Sequence, residues 1–341
     1  MVDIVPEITR ESITNLIVND KREDGRALDE YRDISIETNV ISKAEGSARV
    51  KIGGTQVIVG VKPQLGSPFP DTPELGVLMT NCEMLPMADP TFEPGPPGDD
   101  SIELARVVDR GIRESELVEL DKLCVEEGKH VWMLFIDLHI IDNCGNLFDA
   151  AELAVMAALK STKLPTATVV DDEVVIDEEN TFDLPINNEV AMCTFVKIGE
   201  KMVLDPTLSE QRVANARLNV GVTKEGRICA MQKGGAQPLT KDDIFTAVNI
   251  AISKTKELVD WFGGIAIDFP IEKALGKYLV NYEYHPIFVN ATESDKEAPY
   301  NCIVKMDVPL TNGEKILLTD YSSAGKLWNE ESKMAVWMLT D

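Results

Sequence analysis

A turn of four residues, Asn-Cys-Gly-Asn at positions 143–146, stands between two segments that predict regular structure. The preceding residues 136–142 are almost continuously apolar, which indicates a buried strand. The following residues, Leu147 to Lys163, are rich in alanine, leucine and methionine, which predicts a helix that Pro165 ends. A strand, a glycine turn and a helix N-terminus in this order often hold phosphate, because free backbone N–H groups and the helix dipole converge there. The pattern therefore predicts a pocket with the shape of a phosphate site.

The residues of this turn do not supply the charge that phosphate needs. Gly145, Asn146 and Leu147 include no lysine or arginine, and Asp142 and Asp149 place negative charge beside them. A bound phosphate would meet repulsion and would lack a charge-assisted hydrogen bond. The sequence thus indicates a phosphate-shaped site that has lost its ligand chemistry.

Three arginines elsewhere in the chain could bind phosphate. Arg106, Arg110 and Arg113 lie on a predicted helix that covers residues 101–117 and opens with a capping-box pattern at residues 100–103. Their spacing of four and three residues places them on one side of the helix, opposite its apolar side. We call these three residues the arginine face.

The sequence leaves two interpretations of the arginine face open. In the first, the face is solvated and neutralised by helical ion pairs, for which Asp109 with Arg113 and Arg110 with Glu114 have the required spacing. In the second, the row of guanidinium groups is an anion-binding edge. The first is the commoner outcome for a charged helix face.

Metal or acid–base chemistry has few candidates in the sequence. The acidic residues between positions 171 and 183 could hold Mg²⁺ or act as acid and base, but runs of this density are more typical of solvated turns. The three histidines and six cysteines are scattered, without the spacing of metal ligands. His139, within the apolar strand, is predicted to be a core histidine. We therefore expect no metal ion and no cofactor.

Composition and charge exclude several classes of protein. The 341 residues are 44% hydrophobic and 27% charged, as in an ordinary globular protein. No apolar run approaches the roughly 20 residues of a membrane span, and no signal peptide is recognisable, so we expect a cytoplasmic protein with no membrane contact. The formal net charge of −25 argues against unaided binding of nucleic acid, because phosphate neutralisation supplies most of such affinity. Any RNA contact must be local or supplied by a partner.

The segments that position these residues follow the same order twice. Residues 34–163 and residues 187–262 each contain strands and hairpins followed by one long helix, and an amphipathic helix at residues 8–19 precedes them. This order predicts an α+β fold built from duplicated βαβ units. We divide the chain into an N-terminal helix and first half, residues 1–186, and a second half, residues 187–265.

The remaining residues, 266–341, form an unassigned C-terminal extension that differs in composition. It contains five of the six tyrosines and two of the four tryptophans. Its pattern indicates short strands, and an added β domain, a family-specific extension and a fused segment all fit. Its acidic residues favour packing against the body over stacking on nucleic-acid bases.

Six phrases in the sequence resemble the RNase PH-like subunits of the archaeal exosome, and among these the non-catalytic subunit. They are KREDGR (21–26), AEGSARVKIGGTQVIVGVK (44–62), ELARVVDRGIRES (103–115), IIDNCGNLFDAA (140–151), GEKMVLDPTLSEQ (199–211) and GRICAMQKGGA (226–236). The resemblance covers residues 5–265. It implies a fold like that of ribosomal protein S5 domain 2, the RNase PH-like fold.

The resemblance also implies an assembly. In that family three copies of the non-catalytic subunit alternate with three copies of a catalytic paralogue in a hexameric ring of three heterodimers. The ring degrades single-stranded RNA from its 3′ end by phosphorolysis, beneath a cap of RNA-binding subunits. The chain is therefore expected to take part in RNA degradation and processing as a member of a hetero-oligomer.

The family pattern indicates a site without catalytic residues. Where the catalytic paralogue has Gly-Ser/Thr-Arg at the helix turn, this chain has Gly145, Asn146 and Leu147, a degenerate phosphate site. Where the paralogue has a catalytic aspartate before a Val-Ala strand, this chain has Asn187 and Asn188, and an amide cannot transfer a proton as a carboxyl group does.

The arginines of the non-catalytic subunit face the paralogue's active site in that family, and they fall in the phrase that contains Arg106, Arg110 and Arg113. The resemblance thus favours RNA contacts for the arginine face. It predicts a non-catalytic subunit that structures the paralogue's active site. Two alternatives are an autonomous phosphate-dependent 3′-5′ exoribonuclease and an assembly scaffold whose arginines contact only protein.

Overall fold

The computed structural model describes residues 5–170 and 173–264, and it also gives the backbone of five strands further along the chain. The chain forms two units, Met1–Ala266 and Ile267–Asp341, which are described separately.

The first sheet forms because its strands alternate buried apolar residues with more exposed ones, so that one face of the sheet packs against helices. Its strands are β1 (Ile34–Thr38), β2 (Gly46–Ile52), β3 (Thr55–Gly66), β4 (Val77–Met84), β5 (Cys124–Glu126) and β6 (His130–Asp142). The order is β1-β2-β3-β6-β4, and β5 pairs with β6. Only β4 and β6 run parallel among these pairs.

The second sheet is antiparallel and belongs to the second half of the chain. Its strands are β9 (Val190–Ile198), β10 (Lys201–Leu204), β11 (Ala216–Thr223) and β12 (Ile228–Gly234), in the order β10-β9-β11-β12. Every residue of β9 is buried, because helices cover both faces of this strand. Between the two sheets in sequence, β7 (Lys163–Val170) and β8 (Glu173–Asp183) form a separate two-stranded sheet.

Helices join the two sheets into one core. They are α1 (Glu7–Val18), α2 (Asp99–Glu114), α3 (Leu147–Lys160), α4 (Leu208–Val213) and α5 (Lys241–Gly264). Helix α3 packs on β2 and β3 on one side and on β9 on the other, so that all its residues from Phe148 to Leu159 are buried. Its small alanines permit this close approach of two sheets. Helix α2 contacts β4, α3 and β12, whereas α5 covers β9 and β11.

The second unit contains an antiparallel sheet of five strands. These are β13 (Ile287–Phe288), β14 (Ile303–Pro309), β15 (Lys315–Tyr321), β16 (Lys326–Asn329) and β17 (Met334–Trp337), paired in chain order. The short strands that the sequence indicates in the extension are therefore present.

The structure confirms the predicted α+β fold, with differences at the helix ends. Helix α3 begins at the predicted residue, Leu147, but it ends at Lys160 instead of Lys163. Pro165 lies within the next strand and does not mark the end of the helix. The capping box predicted at residues 100–103 is wrong: α2 begins at Asp99, and the hydroxyl of Ser101 donates to the carbonyl of Cys82. A complete capping box is found instead at α4, between Thr207 and Glu210.

Candidate functional site

The turn before α3 has the backbone geometry that favours glycine. Gly145 has a φ of +93° and Asn146 a φ of +59°. A Cβ atom at Gly145 would lie 2.5 Å from the backbone nitrogen of Leu208, and that N–H group donates to the carbonyl of Cys144 at 3.0 Å. The positive φ and the close approach of α4 both exclude a side chain at this position. The second half of the chain therefore packs directly on the turn.

The side chain of Asn146 is committed to the fold. It is fully buried, and its amide donates to Oδ2 of Asp149 at 2.8 Å and to Oδ1 of Asp205 at 2.6 Å. The amide thus joins two buried carboxyl groups from different halves of the chain. Because both of its N–H bonds are used in this way, it cannot donate to a ligand in the same state.

The positive charges nearest the turn are already neutralised. Arg32 donates to the carbonyls of Cys144 at 3.0 Å and Gly145 at 3.1 Å, and it pairs with Asp205 at 2.8 Å. Arg26 binds the same carboxylate at 2.9 Å. Burial raises the pKa of Asp205, but the hydrogen bonds and charge of Arg32 outweigh it and hold the pKa below its usual value. The ionised carboxylate of Asp205 therefore pairs with the guanidinium groups of both Arg26 and Arg32.

Asp149 lies in the first turn of α3 and adds negative charge beneath the turn. Burial raises the pKa of its carboxyl group to about 7, against hydrogen bonds from Thr194 and Asn146 that favour the ionised form. The hydroxyl of Thr194 donates at 2.6 Å and the hydroxyl of Tyr31 at 2.9 Å. This carboxyl group ties α3 to the second sheet, and its partial ionisation near neutral pH opposes an anion at the turn.

A pocket of 340 Å³ opens beside the N-terminus of α3. Asn143, Leu147 and Phe148 from the turn and the helix line one part of it. Arg212 and Arg217, which belong to the second half, line another part. Sequence reasoning missed both arginines, because nothing in their local pattern indicates that α4 and β11 reach the turn.

The charges around this pocket do not favour phosphate. The guanidinium group of Arg217 lies 4.3 Å from the ring centre of Phe148, and it pairs with Glu103 at 2.5 Å. Asp89, Asp100 and Glu103 line the pocket, opposite two arginines. Three carboxylates against two guanidinium groups leave no excess of positive charge for an anionic ligand.

Asn187 and Asn188 lie at the opposite end of α3 from the turn. The amide of Asn188 donates to the carbonyl of Ser115 at 2.8 Å, and the next residue, Glu189, pairs with Lys160 at the end of α3. A helix of 14 residues is about 20 Å long. The structure therefore does not bring the predicted acid–base position together with the predicted phosphate site, and Arg217 of β11 is the residue that enters the pocket.

The arginine face is divided by the structure. Arg106 and Arg110 are exposed, and within residues 5–170 and 173–264 they form no hydrogen bond or ion pair. They border a pocket of 150 Å³ between α2 and β12, which Ala230, Met231 and Gln232 also line. Two guanidinium groups are thus directed to solvent in an otherwise acidic chain.

Arg113, the third member of the arginine face, is held by its neighbours. It pairs with Asp109 at 3.1 Å and donates to the carbonyl of Leu78 at 3.2 Å. The predicted pair of Asp109 with Arg113 is confirmed, whereas the pair of Arg110 with Glu114 is not found among the described residues. Each of the two sequence interpretations therefore fits a different part of the face.

The prediction of His139 as a core histidine is wrong. Leu138 and Ile140 on either side are buried, but His139 points to the other face of the sheet. Its side chain is 38% exposed, and Nδ1 lies 3.5 Å from Oε2 of Glu83. Strand alternation decides the outcome, because a polar residue in an apolar run takes the outward position.

Other candidate ligands are dispersed. The described residues contain no group of three or more His, Cys, Asp or Glu side chains that could hold a metal ion. Residues 175–183 of the acidic segment are exposed, whereas residues 171 and 172 lie outside the described residues. In the described part of the chain, no helix has both the length and the apolar character of a membrane span.

Comparison with known protein families finds two matches along the chain. The model of the 3′ exoribonuclease family, domain 1, matches residues 30–165, and that of domain 2 matches residues 188–254. Exosome complex component Rrp42 of Methanothermobacter thermautotrophicus is 64% identical over 260 residues, which make up 76% of this chain and 96% of that protein.

Two solved structures show the same similarity in three dimensions. A chain of the Archaeoglobus fulgidus exosome with RNA bound to the active site matches with a TM-score of 0.70 and 43% identity, over 75% of this chain and 98% of that chain. A chain of an archaeal exosome core matches with a TM-score of 0.67 and 40% identity, over 75% of this chain and 97% of that chain. These similarities confirm the predicted RNase PH-like fold.

Proposed function

This chain belongs to the 3′ exoribonuclease family as an RNase PH-like subunit of the archaeal exosome, and we propose that it is the non-catalytic subunit of that complex. It forms a ring of three heterodimers with a catalytic paralogue, under a cap of RNA-binding subunits in the cytoplasm. In this ring it structures the paralogue's active site and contributes contacts to single-stranded RNA. The chemistry of phosphorolysis belongs to the paralogue.

The turn before α3 is the observation that carries the proposal. Leu147 replaces a cation at the helix N-terminus, and the amide of Asn146 is bonded to two buried carboxyl groups. Arg32 is the nearest guanidinium group that could serve phosphate, but it is paired with Asp205 and bonded to the carbonyls of the turn. An anion would have to displace these bonds, so the turn supports the fold rather than a phosphate ligand.

Arg106 and Arg110 support the proposed RNA contacts. Both are exposed and unneutralised within the described residues, although the chain has a net charge of −25. Exposed guanidinium groups that are not bound to carboxylates keep their charge and hydrogen-bond donors available for RNA phosphates. Arg113, paired with Asp109, is proposed as a peripheral member of the same contact.

Activity of the isolated chain tests the proposed absence of catalysis. We expect no phosphate-dependent release of nucleoside diphosphates from a 3′-tailed RNA by this chain alone, because none of the described residues supplies an unpaired cation at the turn to hold phosphate. A mixture of this chain with the catalytic paralogue is expected to release nucleoside diphosphates faster than the paralogue alone. Robust release by the pure chain would favour the autonomous exoribonuclease.

Replacing Arg106 and Arg110 together by alanine is expected to weaken RNA binding by the assembled ring about tenfold and to lower the salt slope by about 1.4, because two phosphate contacts on a single strand are lost. The measurement is fluorescence anisotropy of a labelled RNA at several salt concentrations, after light scattering has verified assembly.

Arg113→Ala is the matched control for this pair. It removes one arginine of the same helix face, but one whose charge is already neutralised by Asp109. We expect it to change RNA affinity by less than about threefold, since exposed paired charges contribute little. Unchanged affinity and salt slope in the double variant would instead favour the scaffold, whose arginines contact only protein.

A further inference from the structure

We propose that the hairpin of β7 and β8 docks a basic, extended segment of a protein partner along the open edge of β8. We call residues 163–169 and 174–183 the acidic hairpin. The proposed function gives this element no role, because it lies outside the arginine face and the turn. The inference concerns the chemistry of the partner and does not depend on RNA binding.

The acidic hairpin is a sheet of only two strands. Among the described residues β7 and β8 pair with each other and with no further strand. The residues from Val175 to Asp183 are all exposed. A two-stranded hairpin is marginally stable by itself in water, and its open edge presents unpaired N–H and C=O groups. A third strand on β8 would satisfy those groups and extend the sheet.

The hairpin also exposes apolar side chains. Val175 is 52% exposed, Ile176 44%, Val169 38% and Phe182 37%. Val169 pairs with Val174, and alternate residues of a strand point the same way, so Val169 and Ile176 lie on one face and Val175 lies on the other. Exposed aliphatic residues grouped on one element are typical of a surface that a partner covers.

Charge decides which partner fits. β8 carries exposed acidic residues at Asp177, Glu178, Glu179 and Asp183, and the one basic residue within the acidic hairpin, Lys163, is already paired with Asp183 at 3.5 Å. Nucleic acid would be repelled by this strand. A segment that alternates lysine or arginine with aliphatic residues complements both the carboxylates and the exposed apolar side chains.

Acidic side chains, some of them in a bulge, argue against pairing of β8 with a second copy of this chain. Thr166 pairs with Asp177 but Pro165 pairs with Thr181, so residues 178–180 are extra. The carboxylate of Asp177 holds them, accepting from the backbone N–H of Glu179 at 3.1 Å and the amide of Asn180 at 2.6 Å. A second copy would place acid opposite acid along this edge, which disfavours self-association.

Titration of the full chain with a fluorescent peptide of alternating lysine and valine tests the proposal. Anisotropy is expected to report saturable binding that weakens at least tenfold in the variant Glu178→Lys/Glu179→Lys. The variant Glu7→Lys/Glu11→Lys is the matched control, because it makes the same change of net charge on two exposed residues of α1. It is expected to bind the peptide like the original chain.

A second peptide with proline in place of valine keeps the charge, but every second residue lacks a backbone N–H and disfavours pairing within a sheet. We expect it to bind at least tenfold more weakly. Hydrogen exchange of the original chain is expected to show protection of β8 amides only with the valine peptide. This measurement needs no variant, so a folding defect in the substituted chains does not affect it.

Equal binding by the hairpin variant and the α1 control would overturn the proposal, as would equal binding of the two peptides. Self-association that the hairpin variant abolishes would assign the edge to a second copy and overturn it too. RNA affinity of the assembled ring is expected to stay within twofold in the hairpin variant. The docking proposal can therefore fail while the proposed function stands. The proposed function can likewise fail while the docking proposal stands.

Discussion

Replacing Arg22 by methionine is expected to lower the free energy of unfolding by about 3 to 5 kcal/mol, because it breaks a buried ion pair and leaves one partner charged. The guanidinium group is fully buried and donates to both carboxylate oxygens of Glu210, at 2.9 and 2.6 Å. It also donates to the carbonyls of Leu204 at 2.9 Å and Asp205 at 2.7 Å. Urea-induced unfolding near neutral pH measures the loss.

The exposed pair of Lys201 with Asp20 is the control for this substitution. Its atoms lie 2.9 Å apart, but its side chains are 42% and 66% exposed. Lys201→Met is therefore expected to cost less than about 1 kcal/mol. In the double variant Arg22→Met/Glu210→Met no buried charge is left unpaired, so we expect part of the stability to return. A loss below 1 kcal/mol in Arg22→Met would contradict the prediction.

Replacing Glu152 by methionine is expected to raise the free energy of unfolding by about 1 to 3 kcal/mol at pH 8, because it removes an unsatisfied buried polar group. Glu152 is fully buried in α3, and among the described residues neither carboxyl oxygen has a hydrogen-bond partner. The group packs against Gly111 of α2, where a Cβ would lie 2.5 Å from Oε1. Burial, followed by the charges of Asp149 and Asp109, raises the pKa of Glu152 well above its usual value.

The sign of the pH dependence follows from that raised pKa. Because its pKa is raised on folding, the carboxyl group keeps its proton to a higher pH in the folded chain than in the unfolded chain, where it ionises above a pH of about 4.3. Its contribution to stability is therefore full below that pH and is lost as the pH rises through the folded pKa. Glu152→Met is expected to flatten this decline when unfolding is followed from pH 4.5 to 8.5.

Glu152→Gln is the matched control, since it removes the titration but keeps an unpaired polar group. We expect it to flatten the same decline while gaining less stability than methionine. Asp149, whose pKa is about 7, titrates in all three chains and cancels from the comparison. A methionine variant as pH-dependent as the original chain would refute a buried, neutral Glu152.

Local patterns predicted what local chemistry controls. The strand, the glycine turn and α3 are where the sequence places them, because apolar periodicity and the positive φ of Gly145 are properties of neighbouring residues. Thr240 and Asp243, three positions apart, form a reciprocal cap at the start of α5. The pair of Asp109 with Arg113 belongs to the same class, since one helical turn separates the two residues.

Long-range contacts decided the features that the sequence did not predict. Glu103 could have capped α2, but it pairs with Arg217, which is 114 positions away. Asn187 and Asn188 stand where the family pattern has the catalytic aspartate, yet the bond of Asn188 to Ser115 places them at the far end of α3. Arg22 lies in the phrase KREDGR, and it is buried by its pairing with Glu210, 188 positions later. No property of the neighbouring residues encodes these partners.

The contact of the glycine turn with α4 has a consequence for how this chain is made. Leu208 closes on Cys144, and Glu210 closes on Arg22, so the first half reaches its native packing only after the second half has left the ribosome. Until then α3 lacks one of its two covering sheets and exposes an apolar surface. Contacts between residues so far apart in the sequence slow folding and favour aggregation of folding intermediates. We therefore expect residues 1–186, synthesised alone, to be insoluble or bound to chaperones.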